Sequence, residues 1–286
     1  MSNTSTRTTL LVVSIGLTLI LTIYYNLSTT FDRYQGPQDE GDTIPCHSSA
    51  MAWRCSGRTN AELISNLYKS QLITSDRVRV SMTSVDRANY APAAPYEDSP
   101  QSIGYQATIS APHMHASACE SLLNYMPENR GAKVLDIGSG SGYLTHVMAN
   151  LVCGSDGTGD GKVVGIDHIP QLTEMATTNM RKSEEGRRLL ESGKVEFVTG
   201  DGRKGFAAGG PYDAIHVGAA AAEIHDTLID QLRSPGRMFI PVEDAQSRGS
   251  MFGDQYIWVV DKDENGKVTR KRDIGVRYVL LTDAPK

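Results

Sequence analysis

Apolar and polar positions along the chain change rhythm three times. Residues 10–25 (LLVVSIGLTLILTIYY) form a charge-free apolar run preceded by Arg7 alone. A bilayer helix needs roughly 17 to 25 such residues, so this run predicts either a short membrane anchor or an N-terminal extension that is removed or unfolded. Residues 29–50 are polar, with scattered Gly and Pro and no period, as in a flexible linker. From Thr59 the spacing turns helical. Thr59-x-x-Glu62 is a capping box, with Leu63, Ile64, Leu67 and Tyr68 on one face, and Val78, Met82 and Val85 repeat the pattern after Ser75. Residues 91–106 contain Pro92, Pro95 and Pro100 and predict a long ordered loop without regular structure, of the kind that serves a site.

From Lys133 short apolar runs alternate with helical patterns. The runs 134–137, 163–167, 195–199, 214–217 and 237–242 predict strands separated by helices. That alternation implies right-handed βαβ units, hence an α/β fold: a doubly wound, mainly parallel sheet behind an N-terminal helical cap. Near the end, 255–260 and 276–281 predict an antiparallel strand pair joined through an Asn265-Gly266 turn, with the basic run 267–272 (KVTRKR) as its solvated tip. The expected organisation is therefore 1–28 as an N-terminal region, 29–50 as a linker and 51–286 as the folded domain.

Composition narrows the chemistry. A formal net charge of −5 argues against a nucleic-acid partner. Cys46, Cys55, Cys119 and Cys153 contain no CxxC pair, so neither a zinc cluster nor a disulfide framework is expected, and the thiols read as reduced, in a cytosolic domain. His113 and His115 are two apart, which separates them on a helix and speaks against a metal site.

The chemistry concentrates at 134–143 (VLDIGSGSGY), a strand ending in an acid and then Gly138, Gly140 and Gly142 opening a helix. Ligands bind at such strand ends. A dinucleotide loop would run G-x-G-x-x-G to seat a pyrophosphate, whereas here the spacing is G-x-G-x-G and Asp136 opens the loop. That carboxylate suits a ligand carrying an ammonium and a sulfonium and speaks against a nicotinamide-dependent oxidoreductase. Asp167 ends the next strand, where an acid can accept from both ribose hydroxyls; Gly154 to Gly161 accounts for its distance from the glycine loop. Asp201-Gly202, after the third strand, would meet the adenine edge. Asp136 and Asp167 together fit an adenosyl amino acid, and a third acid after the next strand makes a mere strand-to-helix turn an inadequate reading.

With MAWRCSGRTNAELI, DSPQSIGYQATISAPHMHA, VLDIGSGSGYLT, GIDH, PYDAIHVGAAA, LIDQLRSPGRMFIPV and GVRYVLLTD, the sequence resembles the protein-L-isoaspartate (D-aspartate) O-methyltransferases over nearly all of 51–283. The resemblance implies a Rossmann-like, S-adenosyl-L-methionine-dependent methyltransferase acting on the free α-carboxylate of L-isoaspartyl residues in damaged proteins, and on D-aspartyl residues as a secondary substrate. It implies Ser110 as the active-site serine. It also implies a cofactor site of Ala107, Thr108, Ile109, Ser110, His115, Asp167, His168, Asp201, Gly202 and Thr282, beside the loop residues Asp136, Gly138, Ser139 and Gly140. A cytosolic monomer is the family expectation.

Residue by residue, alternatives stay open. Ser110 reads from spacing as a helix N-cap before Pro112, and His115 as a packed histidine or a cofactor contact. Gly218 and the alanines after it, with Ala219 and Ala220 assigned to substrate, either leave room beside the methyl donor or make a tight connection. An isoaspartyl carboxylate is ionised at neutral pH, so methyl transfer to it needs orientation and desolvation rather than a general base. The competing class is a catalytically idle adaptor, attached to a membrane, that binds isoaspartyl proteins.

Overall fold

The computed structural model describes residues 55–128, 130–154, 157–245 and 254–282. The apolar run 10–25, the linker 29–50 and the predicted domain start at Met51 lie outside the described residues.

Helix α1 (Asn60–Lys69) begins where the capping box predicts: the Thr59 hydroxyl accepts from the Glu62 N–H at 3.2 Å, while the Glu62 carboxylate reaches back one residue further, to the N–H of Arg58. Leu63, Ile64 and Leu67 are buried, but Tyr68 is half exposed and lies under the Arg79 guanidinium instead of in the core. Helix α2 (Asp76–Ser84), capped by Ser75, buries Val78 and Met82. The segment predicted as an irregular loop does contain regular structure. Strand β1 (Gln101–Gly104) turns at Tyr105-Gln106 and pairs antiparallel with β2 (Ala107–Ile109). Both turn residues have positive φ, 51° and 59°, although neither is glycine, and the glycine beside them, Gly104 at φ 85°, stands just before the turn. Helix α3 (Pro112–Leu122) follows.

The predicted strands assemble as β3 (Lys133–Ile137), β4 (Lys162–Asp167), β5 (Val195–Thr199), β6 (Tyr212–Val217), β7 (Leu232–Glu243) and β8 (Gln255–Lys262). With β9 (Val268–Val276), they form one sheet in the order β5-β4-β3-β6-β7-β8-β9. Pairs from β5 to β7 are parallel, and β7-β8 and β8-β9 are antiparallel. Helices α4 (Tyr143–Cys153), α5 (Pro170–Met180), α6 (Glu184–Glu191) and α7 (Asp226–Gln231) connect them. Because side chains alternate across a strand, Val134 and Ala214 join the core of one face, while Leu135, Ile137, Ile215 and Val217 join that of the other.

The last strand departs from expectation. The basic run, apart from Lys267, belongs to β9, and the apolar run 276–281 is, apart from Val276, outside it. β9 is a sheet edge with one neighbour and mostly exposed side chains, so its burial leaves no apolar signal, and its charges are what keep such an edge from pairing further. The hairpin turn itself is where Asn265-Gly266 places it, with Gly266 at φ 79°. Beyond β9 the chain turns back as a strap, and Leu280 bridges in parallel to Ala220.

Candidate functional site

The sheet order reverses between β3 and β6, and the crevice outside the carboxyl ends of these neighbours is where a doubly wound sheet binds ligands. A cavity of about 470 Å³ lies there, within the size range of small-molecule sites. Its walls come from the β1-β2 turn and β2, the glycine loop, the end of β4, Gly202, Gly218-Ala219 and the strap residues Val279 to Thr282. A smaller cavity of about 30 Å³ adjoins it, sharing Thr108, Gly138, Gly140 and Gly218 as walls.

The glycine loop is built for a ligand other than a phosphate. The Gly138 and Ser139 amides donate to Ile166 O at 2.8 and 3.1 Å, Gly140 N–H to Asp167 Oδ2 at 3.0 Å, and Gly142 N–H to Ser139 O. Those N–H groups are spent inside the protein, so they form no anion nest. Glycine is required at 142 because φ is 88° and a Cβ there would meet Ala176 Cβ at 2.9 Å; helix α4 starts against α5.

Asp167 is 7% exposed, and each carboxylate oxygen accepts one backbone N–H, from Gly140 and from Ile169. Burial raises its pKa above the ordinary carboxylate value, against the lowering effect of those amides. Additional donors, such as a pair of ribose hydroxyls, would stabilise its ionised form.

Of the residues singled out from sequence, Ala107, Thr108, Gly138, Gly140, Asp167, His168, Gly202, Ala219 and Thr282 line the large cavity. Ile109, Ser110, His115 and Ser139 line the small one. Three line neither. Asp136 is 1% exposed, accepting from Thr145 Oγ1 at 2.5 Å and facing His216 Nδ1 at 2.8 Å. It shares its sheet face with Val134, so the strand alternation turns it toward α4. Its charge reaches the small cavity only through His216, which lines that cavity. Asp201 bends onto Arg203, accepting from its backbone N–H and guanidinium, and this pairing lowers its pKa. Ala220 contributes backbone alone, its N–H to Val279 O and its carbonyl to the Leu281 N–H, both 2.8 Å, which fastens the strap.

Ser110 is not a helix cap. The N-cap of α3 is Ala111, without a side-chain bond, and the part-buried His113 N–H is satisfied from a distance by Asp98 Oδ1 at 2.9 Å. Ser110 is held from behind by Arg87, which is 0% exposed and donates from Nη2 to Ser110 O at 2.8 Å and from Nη1 to His115 Nδ1 at 3.3 Å. Since a guanidinium only donates, His115 Nδ1 is the acceptor and Nε2 carries the hydrogen. Burial first, and Arg87 second, hold the His115 pKa well below 6.5, so the ring is neutral. Sequence reasoning passed over Arg87, Tyr143, His216 and the strap residues 279–281. Tyr143, next to the last glycine, was the one with a local signal. Among the described residues no cluster of three or more His, Cys, Asp or Glu could hold a metal, and Cys55, Cys119 and Cys153 are buried.

A family model described as protein-L-isoaspartate(D-aspartate) O-methyltransferase matches residues 58–286. The chain is similar to a protein-L-isoaspartate O-methyltransferase of Caenorhabditis elegans, 51% identical over 232 residues, covering 81% of this chain and 96% of the relative. Protein-L-isoaspartate O-methyltransferase 1 of Arabidopsis thaliana is 44% identical over 225 residues, covering 78% and 91%. A Plasmodium falciparum protein-L-isoaspartate O-methyltransferase, solved in complex with S-adenosyl-L-homocysteine, superposes with a TM-score of 0.69 at 30% identity, covering 79% of this chain and 99% of that one.

Proposed function

The chain belongs to the protein-L-isoaspartate(D-aspartate) O-methyltransferase family, and from that premise we propose that its two adjoining cavities receive S-adenosylmethionine and the carboxylate to be methylated. The protein is an S-adenosylmethionine-dependent methyltransferase acting on L-isoaspartyl residues of damaged proteins. We extend this to the β-carboxylate of D-aspartyl residues, as the family description suggests.

The residues present fit the cofactor. The large cavity has the volume for an adenosyl amino acid, Asp167 lines it at the end of β4, and Ser139 Oγ is buried without a partner on the wall of the small cavity. When bound, S-adenosylmethionine supplies an electrophilic methyl on a sulfonium, so the reaction is an in-line displacement that takes no proton from the acceptor. In our assignment Asp167 holds the ribose, Gly138, Gly140 and Ala219 leave space, His168, Gly202 and Thr282 close the sides, and Ala107 to Ile109 form the wall toward Ser110. The Ser110 hydroxyl orients one carboxylate oxygen, and Arg87 fixes where that hydroxyl sits. His115, neutral with its hydrogen on Nε2, offers a second donor. The strap closes the side of the large cavity, and the buried walls of the small one limit water around the carboxylate, which favours an ionic nucleophile over its hydrated form.

One observation carries this assignment: Ser110 and Asp167 flank two cavities that share walls at the switch point between β3 and β6. The test is methyl transfer to paired synthetic peptides, isoaspartyl and aspartyl, by the wild type and Ser110→Ala. Transfer to the isoaspartyl peptide alone, with kcat lowered about tenfold or more in the variant, is expected. Equal transfer to both peptides would refute the substrate assignment.

From the sequence alone we also propose a monomeric cytosolic domain held to a membrane by residues 10–25. Among the described residues no helix is long and apolar enough to cross a membrane. Fractionation of cells expressing residues 1–286 and 51–286 tests this: both chains in the soluble fraction would refute the anchor.

A further inference from the structure

Tyr143 opens helix α4 directly after the glycine loop, is 1% exposed, and carries a buried hydroxyl with no hydrogen-bond partner. Leaving such a group unpaired is unfavourable, and buried polar groups are ordinarily satisfied. The ring cannot move to relieve it. The Arg87 Cζ lies over the ring 5.2 Å from its centroid, and the rings of His115 and Tyr90 stand 5.1 and 5.7 Å away. Tyr143 lines the small cavity, and Ser139, on the same wall, has the second unpaired hydroxyl. Thr108, Ser110, Ser141, the neutral His115 and His216 also line it, and none of the described lining residues is an acid, the nearest, Asp136, lying behind His216 at 2.8 Å. Burial raises the Tyr143 pKa, so the phenol keeps its proton and stays a donor at neutral pH. A compartment rich in fixed donors and free of acids suits an anion with planar oxygens.

Resting on the assignment of these cavities to cofactor and acceptor, we propose that Tyr143 is a further ligand-contacting residue, its hydroxyl donating to a carboxylate seated in the small cavity. Two carboxylates share that chemistry: the amino-acid carboxylate of the cofactor and the isoaspartyl carboxylate.

The variant Tyr143→Phe, in the full chain, removes the hydroxyl and keeps the ring. Three quantities are measured: affinity for S-adenosylhomocysteine and for 5′-methylthioadenosine, which lacks the carboxylate; kcat and KM for an isoaspartyl peptide; and the ligand-free melting temperature. A loss of about tenfold or more in S-adenosylhomocysteine affinity, with 5′-methylthioadenosine unchanged, assigns the cofactor carboxylate. Unchanged S-adenosylhomocysteine affinity with a comparable loss in kcat/KM assigns the acceptor. In both cases the ligand-free melting temperature stays level or rises, because an unpaired polar group has been removed. Constants within about threefold of wild type throughout, or a lower melting temperature with both ligands weakened alike, would overturn the proposal. Wild-type turnover of the isoaspartyl peptide reads the family assignment separately, since the affinity comparison does not depend on it.

Discussion

Replacing Arg87 with methionine separates folding from catalysis. The guanidinium is wholly buried, and its pKa is lowered from 12.5 to about 10, first by desolvation. A folded-state pKa depressed by about 2.5 corresponds to roughly 3 kcal/mol by which the folded protein disfavours the charged form relative to the unfolded chain at neutral pH. Methionine removes that cost and fills much of the same volume. Against this stand the loss of the bonds to Ser110 O and His115 Nδ1 and a buried carbonyl left unpaired, worth about 1 to 3 kcal/mol. The terms nearly offset, so Arg87→Met is expected to change stability by no more than about 2 kcal/mol. Activity has no such offset. Ser110 loses the strut behind its backbone, and a misplacement of about 1 Å costs on the order of 100-fold in rate. Steady-state kinetics on an isoaspartyl peptide, calorimetric binding of S-adenosylhomocysteine and denaturant unfolding give the three readings. The expected result is kcat lowered on the order of tenfold to 100-fold, with cofactor affinity and stability close to wild type. Wild-type kcat, or a collapse of stability that takes cofactor binding with it, would refute the reasoning.

Two further outcomes follow from the same structure. Gly142→Ala combines a positive φ with a Cβ placed 2.9 Å from Ala176 Cβ and should cost about 2 to 5 kcal/mol; chemical denaturation giving less than about 1 kcal/mol would contradict it. His146, bonded to the Tyr90 hydroxyl at 2.6 Å, has its pKa lowered by burial from 6.5 to about 4. Its folded-state pKa lies below the unfolded one, so stability is kept above pH 6.5 and lost as pH falls toward 4, by roughly 3 kcal/mol. The adjacent Glu185, with a raised pKa, acts in the opposite sense. His146→Gln should flatten the acid limb of stability against pH, and an unchanged slope would count against the assignment.

The chain's own pattern determined the parallel sheet, because strands buried on both faces must read as apolar runs, and it located the glycine loop and Asp167, because a strand end followed by glycines is a local feature. It also carried the motif around Ser110. What it could not decide depended on direction and on distant partners. Asp136, read as a ligand, is turned toward Thr145 and His216, since its face follows from strand parity and from which helix packs there. The end of the chain was misplaced by one element: β9 is an exposed edge whose hydrogen bonds come from β8 rather than from any apolar signal, while the apolar residues 279–281 close a cavity. Arg87 left no trace in the sequence. Its function exists only because folding brings α3, the glycine loop and the chain before β1 around one buried guanidinium, 23 residues from the Ser110 carbonyl it holds.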